Sequence, residues 1–128
     1  MSTRTIKPTE SELEILQVLW VKNQASVREV HEELLKSKDA GYTTTLKLMQ
    51  IMAEKGLVSR DESTFAHVYH ARIPREQTQR NLIADLLERA FEGSTSRLVL
   101  RALAAKKATP EELAEIRRIL KRHERGDA

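Results

Sequence analysis

The apolar pattern of the sequence changes its period at Gly56, and this change limits the folds that the chain can adopt. Before Gly56, apolar residues recur every three to four positions, as on amphipathic helices; after it, apolar and polar residues alternate, as in strands. The sequence thus predicts three helices and then a hairpin, the order of a winged helix-turn-helix fold. The predicted helices lie at about 10–22, 27–37 and 42–55, with a short strand at 25–27 and hairpin strands at 57–60 and 66–73 around the turn 61–64.

Local capping signals indicate where these helices begin and end. Thr9 with Glu12, and Ser26 with Glu29, have the spacing of capping boxes, in which each side chain bonds to the other residue's backbone amide. Gly56 follows the third helix at the position where a left-handed residue commonly ends a helix. The second helix is predicted to bury Val27, Val30, Leu34 and Leu35.

From Pro74 onward the sequence contains only helical patterns. A helix is predicted from Arg75 to Glu92, a second is capped by residues 94–96 and runs to about Ala105, and a third begins at Thr109-Pro110. We therefore expect a mainly α chain with a small β-hairpin wing. Its predicted domains are a winged-helix DNA-binding domain at 1–73 and an all-α dimerisation domain at 74–128.

The three C-terminal helices have too little chain to enclose a core of their own, because small domains bury a low fraction of their surface. A second copy of the chain is the simplest source of another apolar surface, so we expect a two-fold homodimer. The alternative is that the helices fold back on the N-terminal domain in a monomer. The residues predicted to form the dimer contact are Leu82, Leu86, Phe91, Leu98, Leu103, Leu113, Ile116 and Leu120.

The composition excludes several functions. The chain has no cysteine, which removes disulfides and thiolate metal sites. No apolar run reaches the roughly 18 residues of a membrane span, and the N-terminus lacks a secretory signal, so we expect a cytoplasmic protein without membrane insertion. No catalytic constellation stands out, and we expect neither enzymatic activity nor a cofactor. His67 and His70, predicted to lie on opposite faces of a strand, are not expected to share a metal.

The start of the third helix carries the best candidates for binding. Three threonines at 43–45 are unusual there, because branching at Cβ makes threonine a mediocre helix former. In a helix-turn-helix protein this end of the helix meets base edges in the major groove, where a threonine hydroxyl or methyl can make contact. The alternative is that the threonines only cap the helix. The predicted DNA-binding residues are Tyr42, Thr43, Thr44, Lys47 and Gln50.

Net charge gives this hypothesis little support. The formal charge of the chain is +3, a mild indication of an anionic partner. Residues 1–73, however, contain ten Lys and Arg against ten Asp and Glu. Any basic surface on the predicted DNA-binding domain must therefore come from the local arrangement of its side chains.

The segments "TESELEILQVLW", "ASVREVHEEL" and "YTTTLKLMQIMAEKGLV" resemble the penicillinase repressor family (BlaI/MecI type). "SRLVLRAL" and "TPEELAEIRRIL" are similar to the C-terminal region of that family, so the resemblance runs from about Lys7 to Leu120. It implies a homodimeric winged-helix repressor that binds a palindromic operator of a β-lactam-resistance or related stress operon. It also implies a membrane sensor-protease whose signalling leads to cleavage of the repressor.

The sequence departs from this family at two places. Leu46 and Ile51 replace residues that are basic in some relatives, and apolar side chains exposed there would favour the alternative of a protein-interaction module without operator binding. Relatives that are cleaved carry an Asn-Phe bond after the Leu-Val-Leu segment, whereas the aligned candidate cleavage pair here is Arg101-Ala102.

Overall fold

The computed structural model describes residues 7–63 and 65–126, and its element order is the predicted one. The predicted turn at 61–64 includes Thr64, and the predicted domains include residues 1–6 and 127–128, which lie outside the described residues. The elements are α1 (Glu10–Lys22), α2 (Val27–Leu35), α3 (Tyr42–Lys55), β1 (Val58–Asp61), β2 (Val68–Ala71), α4 (Arg75–Ala90), α5 (Thr95–Ala105) and α6 (Pro110–Glu124). The fold is mainly helical with a two-stranded hairpin, which confirms the predicted class.

The chain divides into two compact units, Met1–Ala84 and Asp85–Ala128. The division falls within α4, so one helix contributes residues to each unit. The domain boundary expected after residue 73 stays a prediction.

The core of the first unit is built from the apolar stripes that the sequence predicted. Each of α1, α2 and α3 buries residues at helical spacing, and the chain around β1 and β2 adds others. One expectation is wrong: Leu35 is 47% exposed, because α2 ends there and its last side chain lies outside the stripe. The fully buried apolar residues include Ile15, Leu16, Leu19, Val30, Met49, Met52, Leu57, Val58 and Tyr69.

The capping boxes of α1 and α2 are confirmed. Thr9 Oγ1 accepts a hydrogen bond from the Glu12 amide at 3.2 Å, and Glu12 Oε1 accepts one from the Thr9 amide at 2.9 Å. Ser26 and Glu29 repeat both bonds at 3.2 and 2.9 Å. Each box satisfies amides that have no partner within the helix.

Glu12 also joins two helices. Its Oε2 accepts a hydrogen bond from Lys55 Nζ at 2.8 Å, and its side chain is only 2% exposed. Since Lys55 is the last residue of α3, this partly buried ion pair links the first turn of α1 to the end of α3.

The hairpin is antiparallel, with Val58 opposite Ala71 and Asp61 opposite Val68. It is held to the helices by two hydrogen bonds, from the Ala25 amide to the Tyr69 carbonyl at 3.0 Å and from the Tyr69 amide to the Ala25 carbonyl at 2.8 Å. The short strand predicted at 25–27 is therefore wrong: it is a single bridge, because Ser26 caps α2 and Val27 begins it.

An aromatic side chain, Trp20, and a basic one, Arg75, hold the segment that follows the hairpin. Trp20 Nε1 donates a hydrogen bond to the Ile73 carbonyl at 3.0 Å, and the guanidinium of Arg75 lies 6.0 Å from the centre of the Trp20 ring. Trp20 is half-buried and packs against the core. Trp20 therefore ties α1 to the chain that follows the hairpin.

The helices of the second unit begin where the sequence predicted, but their side chains are little buried. Ser94 caps α5, and Thr109 with Glu112 forms a capping box at α6 with Pro110 in its first turn. None of the described residues from 85 to 126 is buried.

We predict that Glu12→Gln lowers the free energy of unfolding by about 1–3 kcal/mol at pH 7, because a charge-assisted hydrogen bond to Lys55 is weakened. Burial alone raises the pKa of Glu12, but the hydrogen bonds from Lys55 and Thr9 outweigh it and hold the pKa below its ordinary value. The stabilisation is therefore complete above the pKa of an unfolded glutamate and is lost as the pH falls through the lower folded value.

Urea unfolding of the full chain at pH 7 and at acidic pH measures this difference. Glu14→Gln is the matched control, because Glu14 lies on the same helix and pairs with the exposed Lys38. Equal unfolding free energies for Glu12→Gln and the wild type at pH 7 would contradict the prediction.

Candidate nucleic-acid interface

The first turn of α3 shows whether the three threonines cap the helix. The N-cap residue is Gly41, and no side chain caps the helix. The alternative that the threonines cap α3 is therefore wrong. Thr45 instead bonds to the residue four positions earlier: its amide and its Oγ1 both donate to the Gly41 carbonyl, at 3.0 and 3.1 Å.

The threonines divide between the two faces of α3. Thr45 is 1% exposed and continues the buried stripe of Met49 and Met52. Thr43 and Thr44 are exposed. With no side-chain cap, the amides at this helix start retain the capacity to bind an anion.

All five residues predicted to bind DNA are exposed along α3. Tyr42 is 45% exposed, and Thr43, Thr44, Lys47 and Gln50 are exposed as well. Thr43, Lys47 and Gln50 follow one another at four- and three-residue spacing, so they share one face of the helix. The face thus presents a hydroxyl, an ammonium and an amide in a row; that these groups contact DNA stays a prediction.

The chain leading into α3 is held in place by neighbouring helices. His31 Nε2 lies 2.8 Å from the Ala40 carbonyl, so this nitrogen carries the proton and donates it. The His31 ring meets the Tyr42 ring edge-on, with centroids 5.6 Å apart. Lys38 Nζ bonds Glu14 Oε1 at 2.8 Å. His31 is thus partly buried and hydrogen-bonded, and its ring contacts Tyr42, one of the candidate DNA-binding residues.

The apolar residues of α3 do not form an exposed patch. Leu46 and Ile51 are half-buried, and Leu46 packs against the core. Neither side chain is fully exposed, because both residues flank the buried stripe. Exposed apolar side chains at these two positions, which would favour a protein-interaction module, are therefore absent.

A groove of about 440 Å³ lies between α3 and the hairpin. Tyr42 and Gln50 line it, so it is continuous with the exposed face of α3. Sequence reasoning missed its other members. Phe65 stands out, because its side chain is fully exposed at 105%. The remaining polar and basic lining residues include Arg28, Arg60 and His67.

The acidic side chains of the hairpin are already engaged. Glu62 forms an ion pair with Arg60, and Asp61 Oδ1 accepts a hydrogen bond from the Ser63 amide at 2.9 Å. The bonds from Ser63 lower the pKa of Asp61, and hydrogen bonds to Tyr69 and Glu62 raise the pKa of Arg60. The lowered pKa keeps Asp61 ionised at neutral pH.

The histidines of the hairpin are exposed, but only His70 lies in a strand; His67 precedes β2, so the predicted alternation between them does not apply. In residues 7–63 and 65–126, no cluster of His, Asp and Glu could hold a metal ion. Over the same residues, no helix is long and apolar enough to cross a membrane.

The residues predicted to form a dimer contact present apolar surface. Leu86, Leu103, Leu113 and Leu120 are 36–57% exposed, and the remaining four are half-buried. Phe91 is one of these half-buried residues. The candidate cleavage pair, Arg101 and Ala102, lies exposed within α5.

Three packed helices followed by a hairpin, with the polar start of α3 facing outward, define a winged helix-turn-helix protein. Residues 8–122 match the penicillinase repressor family, and the chain belongs to that family. The family is made up of transcriptional regulators, which are not enzymes.

Individual relatives are similar at modest identity. The "Transcriptional regulator BlaI" of Mycobacterium tuberculosis is 31% identical over 113 residues, which covers 88% of this chain and 81% of the relative. The "Methicillin resistance regulatory protein MecI" of Staphylococcus aureus is 22% identical over 120 residues, covering 94% and 98%. The "Penicillinase repressor" of Staphylococcus aureus is 22% identical over 120 residues, covering 94% and 95%.

We predict that Thr45→Val lowers the free energy of unfolding by about 0.5–1.5 kcal/mol, because it removes a buried hydroxyl that bonds the Gly41 carbonyl. Thr43→Val is the matched control, because Thr43 is exposed and the same substitution there leaves the buried side of α3 unchanged. Thermal or urea unfolding compares the two variants. A larger loss for Thr43→Val would contradict the assignment of Thr45 as the structural threonine.

Proposed function

We propose that the protein is a homodimeric, sequence-specific DNA-binding repressor that binds a palindromic operator through the exposed face of α3. The observation that carries the proposal is the row of Thr43, Lys47 and Gln50 on the outside of a helix whose other face is buried. A lysine can contact a guanine edge or a phosphate, and the amide of a glutamine pairs with adenine. The first turn of α3 adds amides without a side-chain cap, which suit a phosphate.

The second unit supports the homodimer. Its described residues bury no side chain, while Leu86, Leu100, Leu103 and Leu120 are 40–59% exposed. Apolar area of this kind is stabilised by removal from water, at about 25 cal/mol per Å². A second copy supplies the same apolar surface, and two-fold symmetry matches a palindromic site.

The names of the relatives support a proposal about which operon the protein regulates. Two are called regulators of methicillin resistance or repressors of penicillinase, so we propose a β-lactam-resistance operon or a related stress operon. A membrane sensor-protease that acts indirectly on the repressor is part of this proposal. The candidate bond, Arg101-Ala102, lies inside α5, so cleavage there requires local unwinding of that helix.

We predict that the double variant Lys47→Ala/Gln50→Ala loses specific operator affinity by about tenfold or more, because each good base contact contributes about 1–3 kcal/mol of discrimination. Fluorescence anisotropy with the protein's own promoter region measures this loss beside a scrambled duplex. Lys22→Ala/Gln24→Ala is the matched control. Both residues are exposed and lie outside α3, Lys22 as the last residue of α1 and Gln24 just after it. Equal promoter affinity in the two double variants would overturn the assignment of α3.

We predict that Leu120→Glu shifts the chain from dimer to monomer at micromolar concentration and weakens operator binding, because a charge replaces an apolar side chain in the proposed contact. Analytical ultracentrifugation measures the change. Val21→Glu is the control, because Val21 is 78% exposed but lies on α1. A wild-type chain that sediments as a monomer and still binds a palindrome tightly would contradict the proposed assembly.

A further inference from the structure

The start of α3 is held differently from the starts of α1 and α2. Those two helices begin at capping boxes, in which the Thr9 and Ser26 side chains bond to amides of their own helices. The N-cap residue of α3 is Gly41, which has no side chain and cannot fix the helix start in this way. The orientation of the exposed side chains at this helix start therefore depends on contacts from other parts of the fold.

His31 of α2 supplies two such contacts, one on each side of Gly41. Its Nε2 donates a hydrogen bond to the Ala40 carbonyl at 2.8 Å, and its ring meets the Tyr42 ring with centroids 5.6 Å apart. The two rings are perpendicular, which is a favourable geometry for an aromatic pair. The hydrogen bond limits rotation of the imidazole, so the ring that Tyr42 contacts is itself held in place.

Tyr42 is a side chain whose orientation needs such a contact. The residue is 45% exposed, so its neighbours cover only part of it. Exposed side chains change rotamer within picoseconds to nanoseconds, and ordering them on binding has an entropic cost. Tyrosine hydroxyls are among the groups that bond DNA phosphates. A Tyr42 ring that is already ordered in the free protein would lose less entropy on contacting an operator.

A second contact holds the same loop before α3, but it is weaker. Lys38 Nζ bonds Glu14 Oε1 at 2.8 Å, and these side chains are 39% and 41% exposed. Exposed ion pairs contribute little, because water and salt screen them. His31 is half-buried and bonds to the backbone, so its contact is the stronger of the two. It is also the contact that joins the loop to a candidate DNA-binding side chain.

We propose that His31 is a positioning residue for operator binding: held by the Ala40 carbonyl, it fixes the Tyr42 ring in the orientation that binds DNA. The proposal rests on the proposed function and deepens it, because it gives α2 a role in presenting the start of α3. His31 acts through Tyr42, so its effect on operator affinity depends on the presence of that ring.

A double-mutant cycle between His31 and Tyr42 in the full-length chain tests this dependence. Fluorescence anisotropy with the protein's own promoter region measures the affinity. His31→Ala is expected to weaken binding by about two- to tenfold, which corresponds to the loss of one aromatic pair. Tyr42→Ala is expected to weaken binding at least as much, and adding His31→Ala to it is expected to cause no further loss. His31→Gln keeps an N–H donor without the ring and is expected to bind like His31→Ala.

Two control variants separate positioning from stability. Ile15→Val removes volume from the core, so it is expected to lower the free energy of unfolding without changing operator affinity at a temperature where the chain is folded. Glu14→Gln weakens the exposed ion pair of the same loop and is expected to leave operator affinity unchanged. Circular dichroism of each variant shows that the fold is retained.

The experiment distinguishes failure of this proposal from failure of the proposed function. If the wild type binds its promoter and Lys47→Ala/Gln50→Ala reduces that binding, the function stands. In that case, wild-type affinity in His31→Ala or in Tyr42→Ala overturns the proposal. An equal loss from His31→Ala with and without the Tyr42 ring overturns it as well. Wild-type affinity in His31→Gln would show that the hydrogen bond alone suffices, and it would contradict the role given to the ring.

Discussion

The buried carboxylate of Glu12 is the interaction on which the presentation of α3 depends. It closes the capping box of α1 and, through its second oxygen, holds Lys55 at the end of α3. Removing Lys55 would leave the buried carboxylate of Glu12 without its charged partner, so the two helices are linked by more than apolar packing. Because Thr45, Met49 and Met52 pack against the core, the opposite side of α3 must face outward. The exposed row of α3 is therefore a consequence of how its inner face is held.

The hairpin is positioned by contacts that are distant along the chain. Tyr69 exchanges two backbone hydrogen bonds with Ala25, which lies directly before the N-cap of α2. Trp20 reaches from α1 to the carbonyl of Ile73. These bonds place the hairpin loop beside the start of α2, and the groove that contains Arg28 and Phe65 follows from that placement.

Features set by neighbouring residues could be predicted from the sequence. The capping boxes, the end of α3 at Gly56 and the hairpin all follow from local chemistry, and each is confirmed. The burial of Thr45 could also have been predicted, because it lies four residues before Met49 and seven before Met52, on the same face of the helix. The burial of Leu46 could not be predicted, because a residue beside an apolar stripe can lie on either side of the burial boundary, depending on packing by neighbouring elements. The groove could not be predicted, because it forms where the hairpin loop approaches α2, and no local pattern encodes that approach.

The absence of buried side chains among the described residues of the second unit affects how the protein would respond to its own abundance. Under the proposed assembly, the species that reads a palindrome forms from two chains. At concentrations below the dissociation constant of the dimer, its amount rises with the square of the chain concentration. Halving the number of chains would then reduce the operator-binding species fourfold. A modest change in synthesis or degradation would therefore suffice to relieve repression.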